Sequence, residues 1–300
     1  MDRLDAMRLF ARIVERRSFT LAAHDMGLPR STVTYALKEM EARLGVKLLQ
    51  RTTRVVKPTL DGEAYYRRCL AILDDIEEAA GAFSGAQPKG LLRIEVQGTL
   101  ARHFLMPGLP NFLARHPGIE LAMSESDRWV DLVQEGVDCA LRYGHLRDSD
   151  LTARQVAMLE RLTCATPAYL ARYGTPHDIE SLAGHRVVGL RSITTGHLAP
   201  LEFRSGKELR TLSLPSTLSV TGPESYLAGI RLGLGLAQVP RFHIENDLKR
   251  GALVVVLPNF PPPSAPVSLL YPRSRQLSPR VRVFLDWATQ EFASQHPAQG

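Results

Sequence analysis

The chain has 300 residues and a mass of 33.3 kDa, about twice a typical domain, so two or more folded units are expected. With 44% hydrophobic and 23% charged residues it is neither disordered nor fibrous, and its longest apolar run, residues 252–257, falls far short of the ~18 a membrane span needs. Residues 1–60 hold 12 Lys/Arg against 6 Asp/Glu while residues 61–300 hold 25 of each, so only the first fifth of the chain is suited to a polyanion.

Over residues 2–17, Ala6, Leu9, Phe10, Ile13 and Val14 fall on one face of a helix. Ser18 is placed to cap a second helix, where Phe19, Ala22, Ala23 and Met26 recur. Gly27 ends it and Pro29 opens a third. There Val33, Leu37, Met40 and Leu44 repeat at 4-3-4 spacing and should face the core. The same rotation turns Ser31, Tyr35, Lys38 and Ala42 outward, with Thr32 and Thr34 on the flanks, and Gly45 stops the helix. A long helix is predicted over residues 59–86, capped by Thr59 with Asp61 and Glu63 in its first turn. Its stripe of Tyr65, Cys69, Ile72, Ile76, Ala79 and Phe83 has coiled-coil spacing, and a second copy of the chain is its simplest partner.

Residues 85–90 form a linker, and a different architecture follows. Strand-like runs at 91–96, 119–123, 138–143, 162–165 and 187–190 alternate with helical runs at 105–115, 130–134 and 168–173. That alternation predicts an α/β fold with a mainly parallel sheet. Breaks at 163–167 and 261–266 suggest two lobes joined by two crossings, with a last helix at 278–292 returning to the first. The expected domains are 1–58, 59–90 and 91–300. The last divides into lobe I (91–163 and 268–300) and lobe II (164–267).

A helix pair whose second member carries an outward polar face, followed by the basic segment Arg51-Thr52-Thr53-Arg54, suits the major groove of DNA. The same helices could instead serve assembly alone, in an α/β ligand-binding protein or enzyme that binds no DNA. Enzyme signals are missing: there is no Gly-x-Ser-x-Gly elbow, no phosphate loop and no His pair at metal-ligand spacing. Gly233-Leu234-Gly235 lacks the third glycine of a dinucleotide fingerprint. No catalytic residue, metal or cofactor is therefore expected. The cysteines at 69, 139 and 164 exclude a disulfide framework. The opening Met1-Asp2-Arg3-Leu4-Asp5 has no secretory layout, so a cytoplasmic protein is expected.

Phe10-x-x-Ile13-Val14-Glu15-x-x-Ser18-Phe19-Thr20-x-Ala22-Ala23 resembles the opening of LysR-type transcriptional regulators. So do Ser31-Thr32-Val33-Thr34, Leu37-x-x-Met40-Glu41-x-x-Leu44-Gly45-x-x-Leu48-Leu49-x-Arg51-Thr52-Thr53-Arg54 and Thr59-x-x-Gly62. Downstream, residues 136–144, Thr166-Pro167-Ala168-Tyr169-Leu170 and Arg250-Gly251-Ala252-Leu253 extend the likeness over nearly the whole chain. The resemblance implies a winged helix-turn-helix, a dimerising linker helix, and a two-lobed effector domain similar to periplasmic (type II) binding proteins. It also implies three partners: double-stranded promoter DNA, a small organic effector, and further copies of the chain as a dimer or tetramer.

The candidate DNA contacts are Arg30, Ser31, Thr32, Thr34, Tyr35 and Lys38 on the third helix. Thr53 and Arg54 resemble the family's minor-groove contact in the wing. Gln97-Gly98-Thr99 follows the first strand and precedes a helix, so Thr99 and nearby N–H groups could hold an anionic effector. The family places other cleft contacts at positions comparable to Ser126, Arg142, Thr194, Thr195 and Thr221. His103 and His197 lie near the same cleft. Tyr65, Cys69, Ile72, Ile76 and Phe83 are the dimerisation candidates. Cys139 and Cys164 fall on predicted strands, which raises either a thiol switch or inert buried cysteine.

Overall fold

The structure, a computed structural model, describes residues 1–51, 56–82, 87–126, 128, 131–146, 148–193, 195–206, 208–273 and 277–295. Three helices open it: α1 (Arg3–Arg16), α2 (Phe19–Asp25) and α3 (Arg30–Leu44). Asp2 caps α1 by accepting the Asp5 N–H at 2.7 Å, and the Ser18 hydroxyl caps α2 through the Leu21 N–H. Their apolar faces meet in one core built on Leu9, Phe10, Ile13, Ala22, Val33, Leu37 and Met40. Leu44 departs from expectation. It is 38% exposed, because α3 ends at Gly45 in the left-handed region (φ 71°) and Leu48, fully buried, closes the core instead.

Strands β1 (Leu49–Arg51) and β2 (Val56–Pro58) pair antiparallel as a wing, with Leu49 opposite Pro58. Thr59 then caps helix α4 (Leu60–Ala82), accepting the Gly62 N–H at 2.9 Å while donating to the Lys47 carbonyl. Only glycine fits at 62, since a Cβ there would overlap the Leu48 carbonyl oxygen.

The predicted dimer stripe of α4 is divided. Cys69 is fully buried in the N-terminal core, and the Tyr65 ring packs 5.5 Å from that of Phe10 on α1. Cys69 is thereby closed to a second copy, contrary to its expected place in the seam, while Tyr65 stays half-buried at the edge of that core. Ile72 is 39% exposed and Ile76 half-buried, so the stripe opens to solvent further along the helix. Phe83 and the side chain of Ala79 lie outside the described residues.

The second unit starts with β3 (Gly90–Val96), α5 (Gly98–Leu100) running into a π-helical turn at residues 101–105, and α6 (Leu109–Arg115). It continues through β4 (Ile119–Glu125), α7 (Leu132–Glu135), β5 (Cys139–Tyr143) and β6 (Leu151–Leu159). The chain then leaves this sheet for β7 (Arg161–Ala165), α8 (Pro167–Tyr173), β8 (Val187–Leu190), β9 (Leu201–Ser205) and β10 (Glu208–Leu212). Next come β11 (Ser216–Val220), α9 (Pro223–Arg231), β12 (Ala237–Pro240), α10 (Glu245–Lys249) and β13 (Val254–Val255). It returns as β14 (Ala265–Pro272) and α11 (Pro279–Gln295).

Lobe I is a five-stranded sheet in the order β4-β3-β5-β14-β6, with β3 parallel to β4 and β5 and β14 antiparallel to both its neighbours. Phe284, Leu285 and Phe292 of α11 cover it, the last stacked on Phe104 at 4.6 Å. In lobe II, β7 lies between β12 and β13, both antiparallel to it, and β8 pairs parallel with β11. The first crossing falls at Glu160, between the two sheets, three residues earlier than the sequence pattern suggested.

Candidate nucleic-acid interface and interlobe cleft

Helix α3 presents Arg30, Ser31, Thr32, Tyr35 and Lys38 to solvent, with Thr34 half-buried at the edge. Arg30, Ser31, Thr34, Tyr35 and Lys38 line one shallow concavity. Tyr35 is 69% exposed, unusual for a large ring with no apolar neighbour to cover it. Nearby cations are committed otherwise: Arg16 and Arg12 to Asp25, and Lys47 to Glu41. Among the described residues, Arg30 and Lys38 have no carboxylate partner. Pro29 offers no side-chain cap, so the first-turn amides of α3 remain open to an anion beside Arg30. Thr53 and Arg54 lie outside the described residues.

Behind this face sits a residue that periodicity does not single out. Glu41 is 7% exposed and accepts from the Lys47 ammonium at 2.7 Å and the Leu48 N–H at 3.0 Å. Burial pushes its carboxyl upward, but Lys47 and the backbone donors of Leu48 and Leu49 outweigh that and hold it below the usual carboxylate range. It ties the end of α3 to the root of the wing.

The cleft between the lobes holds a cavity of about 350 Å³. Gln97, Thr99, Leu100 and Tyr143 line it from lobe I. Leu190, Arg191, Ser192, Ile193, Ala199 and Thr221 line it from lobe II. Arg161, Pro240, Phe242 and His243 form its floor beside the crossings, where the Arg241 N–H donates to the Glu160 carbonyl. Thr99 and Thr221, both expected at the cleft from the sequence, line the cavity. Ser126, Arg142 and Thr195 do not, and Thr194 lies outside the described residues.

The Arg142 side chain turns instead into lobe I, donating to Glu95 at 2.6 Å and to the Ser126 and Arg128 carbonyls. It is a buried strut, and Ser126 is one of its anchors. Thr195 shapes its own loop, accepting the His197 N–H. Two arginines missed by the sequence reading take the cleft. Arg161 is neutralised by Glu202 at 2.6 Å, whereas Arg191 donates to the Gly196 carbonyl and the Ser219 hydroxyl, with no carboxylate partner among the described residues. His103 accompanies the cavity without lining it, packing 4.9 Å from Phe242.

Burial pushes the Cys164 thiol up to about 12 and raises Cys139 as well, so neither is a thiolate near neutral pH. Among the described residues, no cluster of His, Cys, Asp and Glu is placed to hold a metal, and no helix is long and apolar enough to cross a membrane.

Two family profiles match the chain. That of the bacterial regulatory helix-turn-helix protein, lysR family, covers residues 4–63, and that of the LysR substrate binding domain covers residues 85–293. The chain belongs to the LysR family. Like other LysR members it is a DNA-binding transcriptional regulator with a substrate-binding domain. It is 37% identical over 96% of its length to the uncharacterized HTH-type regulator YhjC of Escherichia coli K12, covering 97% of that protein. It is 36% identical to an HTH-type transcriptional repressor of Pseudomonas aeruginosa UCBPP-PA14, covering 98% of this chain and 93% of the other. The solved structure of CrgA, a LysR-type regulator from Neisseria meningitidis, superposes with a TM-score of 0.60 at 30% identity, covering 96% of this chain and 98% of that one.

Proposed function

We propose that this regulator reads promoter DNA with the outward face of α3, assembles through the exposed part of α4 into a dimer or tetramer, and changes its DNA binding when a small organic effector fills the interlobe cavity. It works in the cytoplasm and catalyses no reaction on the bound compound. The observation that carries the DNA reading is the gathering of Arg30, Ser31, Thr34, Tyr35 and Lys38 on one face, where the two cations have no carboxylate partner among the described residues. Arg30 and Lys38 reach phosphates or guanine edges, while the Tyr35 ring and the Thr32 and Thr34 methyls meet thymine methyls. In the wing, Thr53 and Arg54 enter a narrow minor groove. The cavity supports an effector without positive charge. Among the described residues no Asp, Glu or Lys lines it, and Arg191 is its unpaired cation. A ligand carboxylate would meet Arg191, near Thr99 or Thr221.

Gel-shift titration against the DNA upstream of its own gene tests this. Lys38→Ala and Tyr35→Ala are each expected to weaken specific binding by ~1–3 kcal/mol, and wild-type affinity should fall steeply with salt. Unchanged binding in both variants would remove α3 from the interface.

A further inference from the structure

Buried polar atoms in folded proteins nearly always have a hydrogen-bond partner. The cavity floor departs from this at two places. The Tyr143 hydroxyl and His243 Nε2 are each buried with no hydrogen-bond partner among the described residues, and both residues line the cavity. They come from different parts of the fold. Tyr143 ends β5 of lobe I, next to the second crossing, where the Gly144 N–H donates to the Pro266 carbonyl. His243 follows β12 of lobe II, and its ring packs at 4.1 Å against Phe242 and at 6.0 Å against His103 of lobe I.

Neither group is charged at neutral pH. Burial, with His103, Arg231 and Arg102 adding repulsion, lowers the imidazole to about 3, and burial pushes the phenol up to about 12. The other polar groups of the floor are occupied. Gln238 donates to Thr163 and the Glu202 carbonyl, and Arg161 holds Glu202. Leu100, Val239 and Phe242 add apolar lining to the same cavity.

We propose that Tyr143 and His243 form a recognition pair for an uncharged hydroxyl group on an otherwise apolar, ring-sized effector, joined across the two lobes by that one group. The hydroxyl donates to one partner and accepts from the other, which an amine cation or a second carboxylate cannot do beside a neutral phenol and a neutral imidazole. This rests on the interlobe cavity being the effector site. It adds the chemistry of the buried end to the carboxylate expected at Arg191, and so specifies a hydroxylated cyclic acid.

Calorimetry of the full chain with 4-hydroxyphenylacetate and phenylacetate, which differ only in the hydroxyl, tests the pair. The wild type is expected to bind the hydroxylated acid about tenfold more tightly. In Tyr143→Phe and in His243→Phe that ratio should fall to near one, with phenylacetate affinity retained. The ligand-free melting temperature should be unchanged or higher in Tyr143→Phe, because the lost hydroxyl has no hydrogen-bond partner among the described residues; a purely structural role would lower it. A preference that survives in either variant, no preference in the wild type, or no binding of either acid at millimolar concentration overturns the proposal. A surviving preference would leave a water molecule as the occupant of the floor. The cleft reading fails by a different result, namely phenylacetate binding to the cavity-filling variant Ala199→Trp as tightly as to the wild type.

Discussion

Glu41 shows how one side chain can hold two functional elements in register. Its carboxylate is satisfied by Lys47 and by the Leu48 and Leu49 amides, so the wing starts from a fixed point on α3. Replacement by Gln keeps the shape, loses the charge-assisted bonds, and is expected to cost about 1–3 kcal/mol near neutral pH. The folded carboxyl titrates below its ordinary value of 4.5. Its contribution is therefore complete above that value and disappears as pH falls through the lower folded one. Denaturant titrations of both proteins should show a gap near neutral pH that closes in acid. The sequence alone conveys the outward face of α3, because a helix has one period and the chain obeys it. It does not convey the fate of Arg142. A basic residue at a strand end reads as a cleft cation until the parallel register of β3 and β5, with Glu95 opposite Ala140, brings a carboxylate beside it.

At the scale of elements, α4 separates what a pattern can and cannot say. Spacing of 4-3-4 identifies an apolar stripe but not what covers it, and two coverings divide this one. Cys69 seals the N-terminal core against α1, while Ile72, less than a turn further on, is exposed. Cys69→Asp is thus expected to unfold the DNA-binding unit, since an unpaired buried charge costs several kcal/mol. Ile72→Asp should leave that unit folded and shift sedimentation toward the monomer. A sedimentation profile identical to wild type for Ile72→Asp would place the contact between copies elsewhere. Other elements escape pattern reading for a similar reason. Strand β14 starts one residue after Pro261-Pro262-Pro263 and includes Pro266, so its sequence reads as a break, yet partners on both sides hold it extended.

Across the molecule, among the described residues, one ion pair joins the two lobes besides the crossings and the aromatic floor. Arg102, in the π-helical turn of lobe I, reaches Glu224 of α9 at 2.8 Å. Both side chains are more than half exposed (52% and 63%), so screening by water and salt limits the pair to about 1 kcal/mol or less. Arg102→Ala should therefore change the ratio of open to closed lobes by no more than about fivefold. Small-angle scattering at low and high salt is the measurement. The expected result is a slightly larger radius for the variant at low salt, converging with wild type at high salt. A difference that persists at high salt would mean that Arg102 holds the lobes by packing rather than by charge.

The position of β14 has a consequence for how the protein is made. It lies between β5 and β6, and among the described residues β6 has no other strand partner. Every strand of lobe II precedes it in the chain. During synthesis from the N-terminus, lobe II can close while lobe I still waits for residues 265–272 to leave the ribosome. Until then β5 and β6 are open edges able to pair with other nascent chains. The strand that joins lobe I together is thus translated after all of those of lobe II, and a chain truncated just before Ala265 would carry one finished lobe and one adhesive one.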